Sequence, residues 1–227
     1  EYHQKALDTY SELRYPAHIA EATYGLAATY RYWKKFDLAI EYYKRYLTSI
    51  TYTPSKKVAF YAFYGLSMTL AENGNCAEAL SVIENALQYP GQLDFRAELY
   101  KSKASCLLSL NDLTGAEDSL VLAKDIFDHL PDLKGTIWQL EVNKITAQLT
   151  YAKGDYQQAF SLISNYYQNY NQVLMKNAAD RMLRVRDAFE QERQDVEIAF
   201  LQQRSEVQGL RKTQTEQKNI QQGYFFI

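Results

Sequence analysis

The chain has 227 residues, 47% of them hydrophobic, with 9 Gly, 4 Pro, 2 Cys and a formal net charge of -2. That balance excludes a disordered chain and a disulfide-built scaffold, and it speaks against a nucleic-acid binder, which presents a basic face. No apolar run approaches the roughly 20 residues that cross a bilayer, and so few backbone punctuators predict long, uninterrupted helices.

In chain order, Ala6 and Tyr10 read as the second half of a unit whose first half is missing. Since the chain opens at Glu1 and not at Met, it reads as a processed or excised piece. The first full unit, near 20–53, carries Tyr24-Gly25-Leu26, then Tyr30, Phe36, Ala39, Tyr43 and Leu47. A second, near 60–90, repeats it 40 residues on, with Tyr64-Gly65-Leu66, Leu70, Cys76, Ala79, Ile83 and Leu87. The third, near 97–130, carries Tyr100, Ala104, Leu107, Leu113, Ala116, Leu120 and Ala123. The fourth, near 136–170, keeps Ala147, Tyr156, Ala159 and Ile163. Each unit sets two apolar stripes of helical period around a short polar break, which predicts a pair of antiparallel helices. Gly74 and Gly154 fall in two of the breaks, and Pro16, Pro54, Pro90 and Pro131 fall between units, where they end helices.

These residues resemble the tetratricopeptide repeat, with a generic amphipathic bundle as the rival. Ala39, Ala79, Ala116 and Ala159 match its small position in the second helix, and Ala27, Ser67, Ala104 and Ala147 that in the first. The alanines of the second helix stand 40, 37 and 43 residues apart, longer than the roughly 34 of the standard unit. The fold class expected is therefore all-α: a tetratricopeptide-like solenoid over residues 1–175, followed by a long C-terminal helix over 176–227.

The resemblance implies a concave face built by the first helix of each unit, able to take a peptide, a protein or a small ligand. It places there Tyr24, Arg31 and Tyr32, then Tyr61, Tyr64 and Met68, then Lys101 and Ser105, then Lys144, Gln148 and Tyr151. Tyrosine gives contact area with little rotamer entropy, and Arg31, Lys101 and Lys144 have the chemistry to hold a carboxylate or phosphate. The alternative is that many of the 20 Tyr are packing residues. The clamp pattern for chaperone tails is not reproduced.

From about Lys176 the chain has no Pro and becomes rich in Arg, Glu, Gln and Lys. Met182, Phe189, Val196 and Leu210 sit on multiples of seven, with Val185 on a companion position. Phe200 and Val207 follow a seam shifted by one residue. The helix reads either as a polar cap on the solenoid or as a parallel coiled coil, hence a homodimer. The stretch from Arg184 to Arg193, with Glu197-Ile198 and Leu201, resembles the juxtamembrane helix of bacterial membrane receptors. The aromatic ending Tyr224-Phe225-Phe226-Ile227 looks like the edge of a membrane segment. That resemblance implies a periplasmic sensor region at the inner membrane, with a cytoplasmic output, a GGDEF diguanylate cyclase or a histidine kinase. A soluble scaffold for a partner peptide is the alternative.

Catalytic motifs are missing: there is no G-x-G-x-x-G, P-loop, G-x-S-x-G or H-E-x-x-H. His3, His18 and His129 have no second ligand at metal spacing, so no metal and no cofactor is expected. Cys76 and Cys106 read as buried thiols, with a disulfide as the alternative in an oxidising compartment.

Overall fold

The computed structural model of the chain describes residues 2–49 and 56–224, without the side chains at 56, 57, 201, 205 and 207–224. Pro54, Phe225, Phe226 and Ile227, and the side chains of Val207, Leu210 and Tyr224, lie outside that description.

Helices follow one another with no strand among the described residues: α1 (Tyr2–Glu12), α2 (Pro16–Tyr32), α3 (Phe36–Ser49), α4 (Lys56–Glu72), α5 (Cys76–Leu87), α6 (Leu93–Ser109), α7 (Leu113–Asp128), α8 (Ile137–Ala152) and α9 (Tyr156–Tyr224). A short 3-10 turn, Pro131–Leu133, separates α7 from α8. Two structural units divide at Val173 and Leu174. The first is an all-helical repeat solenoid of the tetratricopeptide type.

The four breaks inside the units share one geometry. Lys34, Gly74, Asn111 and Gly154, each two residues before the second helix, have φ of 57°, 83°, 63° and 90°. At each, the next amide reaches back five residues to a carbonyl of the first helix: Lys35 to Tyr30, Asn75 to Leu70, Asp112 to Leu107 and Asp155 to Thr150, at 2.9 to 3.2 Å. This is the left-handed cap that satisfies the last carbonyls of a helix. Two of the four caps carry glycine, which adopts positive φ without steric cost; Lys34 and Asn111 bear that cost instead.

The small residues do what their spacing implies. Ala39, Ala79 and Ala116 are fully buried and Ala159 nearly so. The recurring Tyr-Gly-Leu has its own cause. A Cβ on Gly65 would collide with the Tyr43 ring of α3, and one on Gly25 would lie 2.6 Å from the His3 ring of α1. Each glycine lets the first helix of a unit approach the second helix of the unit before. The core then runs on through Tyr43, Leu66, Leu70 and Cys106, through Phe60, Ile83 and Leu99, and through Leu120, Phe127, Val142, Ile145 and Leu149. Cys76 and Cys106 are free thiols, and Cys106 is buried.

The C-terminal helix does not begin near Lys176. It is the second helix of the fourth unit, prolonged without a break from Tyr156. No Gly or Pro occurs between Asp155 and Gly209, so nothing in the sequence stops it. In the second structural unit Met182, Val185, Phe189, Val196 and Phe200 are all exposed.

Candidate partner-binding groove

The first helices α2, α4, α6 and α8 are neighbours in turn, and two clefts open along them. The larger, about 750 Å³, is lined by Ala28, Arg31, Tyr32, Lys34, Tyr43 and Glu72 among others. The other, about 340 Å³, is lined by Met68, Glu72, Lys101, Ser105, Glu141 and Lys144 among others. Glu72, the last residue of α4, lines both and joins them into one groove.

An ionic ladder runs along it. The Arg31 guanidinium donates to both carboxylate oxygens of Glu72, Nη2 at 2.6 Å and Nε at 3.2 Å. Burial opposes the charge on Arg31, and the Glu72 hydrogen bond and charge outweigh it, so its pKa moves up. One unit further, Lys101 Nζ donates to Glu98 and to Glu141, both at 2.6 Å. The side chains of Lys101 and Glu98 are 7% and 9% exposed. Burial raises the pKa of Glu98, and the Lys101 ammonium beside it acts in the opposite direction. No buried side-chain nitrogen or oxygen among the described residues lacks a hydrogen-bond partner. The buried atoms of the ladder are therefore all partnered, and its rungs tie α2 to α4 and α6 to α8.

The structure divides the sequence-predicted residues into three sets. Arg31, Tyr32, Met68, Lys101, Lys144 and Ser105 line the groove. Arg31 and Lys101 are spent on internal carboxylates, since the chain supplies anions of its own one repeat away. Among the described residues Lys34 and Lys144 line the groove and stand in no ion pair. Tyr24, Tyr61 and Tyr64 line neither cleft. Tyr24 packs edge-on to Tyr43 at 5.7 Å, and Tyr64 meets Phe95 at 4.9 Å. Tyr61 meets Phe95 at 5.3 Å, and its hydroxyl donates to Gln92 at 2.6 Å. Burial pushes the Tyr24 and Tyr64 hydroxyls up, so they stay protonated. Gln148 and Tyr151 belong to a separate apolar cleft at the end of the repeat domain.

Glu72 and Glu141, which line the groove, and Glu98, buried beside Lys101, were not legible as partners of its cations. A signal existed for two: Glu72 stands 41 residues after Arg31 and Glu141 stands 40 after Lys101, one repeat period in each case. No group of three or more His, Cys, Asp or Glu placed to hold a metal occurs among the described residues.

The chain matches no protein-family model, and no curated protein sequence resembles it significantly. Solved structures do. BtubC (BKLC) from P. vanneervenii is 21% identical at a TM-score of 0.55, over 75% of this chain and 71% of that one. A Podosopora anserina kinesin light chain with nearly identical TPR-like repeats is 14% identical, with a TM-score of 0.56 over 75% of this chain and 84% of that one. A single-substitution form of that protein gives a TM-score of 0.58. These similarities establish the fold, a tetratricopeptide-type helical repeat.

Proposed function

We propose that this chain is a non-catalytic sensor domain that binds a peptide, protein or small ligand in the groove of α2, α4, α6 and α8. The groove carries the reading: Tyr32 gives it exposed aromatic surface, and Lys34 and Lys144 give it unspent cations. An occupant would touch several units at once, so it would bias how one first helix sits on the next. The relay would be α9, which belongs to the fourth unit at one end and bears Met182, Phe189 and Val196 at seven-residue spacing beyond Leu174. Paired in parallel with a second copy, this helix would pass the change toward a membrane segment after Ile227. The output would be a cytoplasmic GGDEF diguanylate cyclase or histidine kinase, with this domain in the periplasm at the bacterial inner membrane. A bistable pairing needs only modest bias, since a tenfold population shift takes about 1.4 kcal/mol.

The tetratricopeptide-type fold fits a second reading equally well, a soluble scaffold that binds a partner peptide in the same groove. Among the described residues no helix is long and apolar enough to cross a membrane. The coding sequence past Ile227 separates the readings. About 20 apolar residues and then an output domain are expected for the sensor. A stop codon at that point removes the membrane relay and leaves the scaffold.

A further inference from the structure

At every internal junction of the repeat domain, the second helix of one unit is covered by the first helix of the next. The position four residues after the small alanine records this. Tyr43 is 2% exposed, Ile83 0% and Leu120 5%. Tyr43 packs with Leu66 and Leu70 of α4, Ile83 with Leu99 of α6, and Leu120 with Val142, Ile145 and Leu149 of α8. In the fourth unit the same position is Ile163, and it is only half-buried. Around it the repeat positions change in the same direction. Leu108 and Leu113 of the third unit are packed against the core, whereas their counterparts Tyr151 and Tyr156 are 64% and 63% exposed. Phe160 lies beside them, 73% exposed.

The result is a cleft of about 410 Å³ lined by Ala147, Gln148, Tyr151, Tyr156, Ala159, Phe160 and Ile163, with no charged residue. Among the described residues no fifth first helix follows to fill it, because α9 continues as one helix to Tyr224. We propose that this open end docks one amphipathic helix of a partner protein, in the place a fifth first helix would take. The internal interface states what that helix must present. Val142, Ile145 and Leu149 of α8 cover the equivalent face of α7, so the partner needs aliphatic side chains at i, i+3 and i+7. The uncharged cleft requires that face to be free of charge, since an ion buried there would find no counterion.

A second copy of the chain is a poorer occupant. Its first helices are spent in its own core. The parallel seam of α9, extended back by sevens from Met182, reads Met175, Gln168 and Ser161, and turns polar before it reaches Phe160. The proposal rests on the repeat packing and is independent of the sensor reading.

The test uses a fluorescent peptide with the sequence of α8, Ile137–Ala152, titrated into the full chain and followed by anisotropy. Saturable binding is expected, weakened at least tenfold by Phe160→Asp and unchanged by Phe189→Ser. Phe160 is exposed, so the variant should fold; if its thermal melt shows otherwise, Tyr156→Ser with Tyr151→Ser replaces it. No saturable binding, or binding indifferent to these substitutions, overturns the proposal. So does a wild-type dimer in sedimentation that Phe160→Asp abolishes and Phe189→Ser spares, since a second copy would then be the occupant.

Discussion

The two structural units carry the same kind of apolar stripe and treat it in opposite ways. In the repeat domain Phe60, Ile83, Leu99 and Phe127 have no exposed surface. In the second unit Met182 is 78% exposed and Phe189 73%. Periodicity is present in both. What differs is that each stripe of the repeat domain meets another stripe of the same domain one unit away, whereas Met182, Phe189 and Val196 of α9 stay exposed. A hydrophobic period thus names the face of a helix that wants cover, and the connectivity decides whether the chain supplies it.

The comparison can be broken at one aromatic in each region. Phe127→Ala removes a fully buried ring and should cost about 3–5 kcal/mol of unfolding free energy in urea titration. Phe189→Ala should change the stability of the monomer by less than about 0.5 kcal/mol. Equal effects would mean that α9 has a partner within the chain.

The ionic ladder gives the next effect. Lys101→Met leaves Glu98 buried without its cation and should cost about 3 kcal/mol at pH 7. The folded pKa of Glu98 is raised by burial, so its ionised form already opposes folding at neutral pH. That opposition fades as pH falls through the raised pKa and is gone below the ordinary carboxylate range, where both states hold the proton. Urea titrations of Lys101→Met at pH 7 and pH 5 should therefore show a smaller loss at pH 5, and Glu98→Gln in the same chain should restore most of it. A loss independent of pH would deny Glu98 this role.

A smaller effect concerns a turn. The Asp112 carboxylate accepts from the Gly115 amide at 2.9 Å and caps α7. Asp112→Ala should cost about 1 kcal/mol in a thermal melt. The smallest is kinetic. Burial holds the Cys106 thiol protonated, so alkylation of the native protein should label Cys76 well ahead of Cys106, as read by mass spectrometry.

Much of the fold was legible because it is written as a period. The recurrence of Tyr-Gly-Leu, the alanines at 40, 37 and 43 residues and the breaks with Gly74 and Gly154 located the helix pairs. The candidate groove was legible only in part. Placing the repeat brought Arg31, Met68, Lys101 and Lys144 to it, and also swept in Tyr24, Tyr61 and Tyr64, which pack on Tyr43, Gln92 and Phe95 instead. A tyrosine at helical spacing reads the same whether its ring fills a gap or faces a ligand, and only the neighbouring unit decides which.

By itself the sequence determined what local rules can determine. It set where the helices of the repeat run, where they must stop and which face of each is apolar, because the backbone responds to Gly, Pro and the apolar period within a few residues. The tertiary structure alone decided what lies a full repeat away. It paired Arg31 with Glu72 and Lys101 with Glu98 and Glu141, and it seated Gly65 against the Tyr43 ring. It also left Ile163, Tyr156 and Phe160 without the cover that Leu120 receives from α8. Such contacts depend on the angle and distance between helices, which side-chain volumes across the interface fix and no single stretch of chain contains.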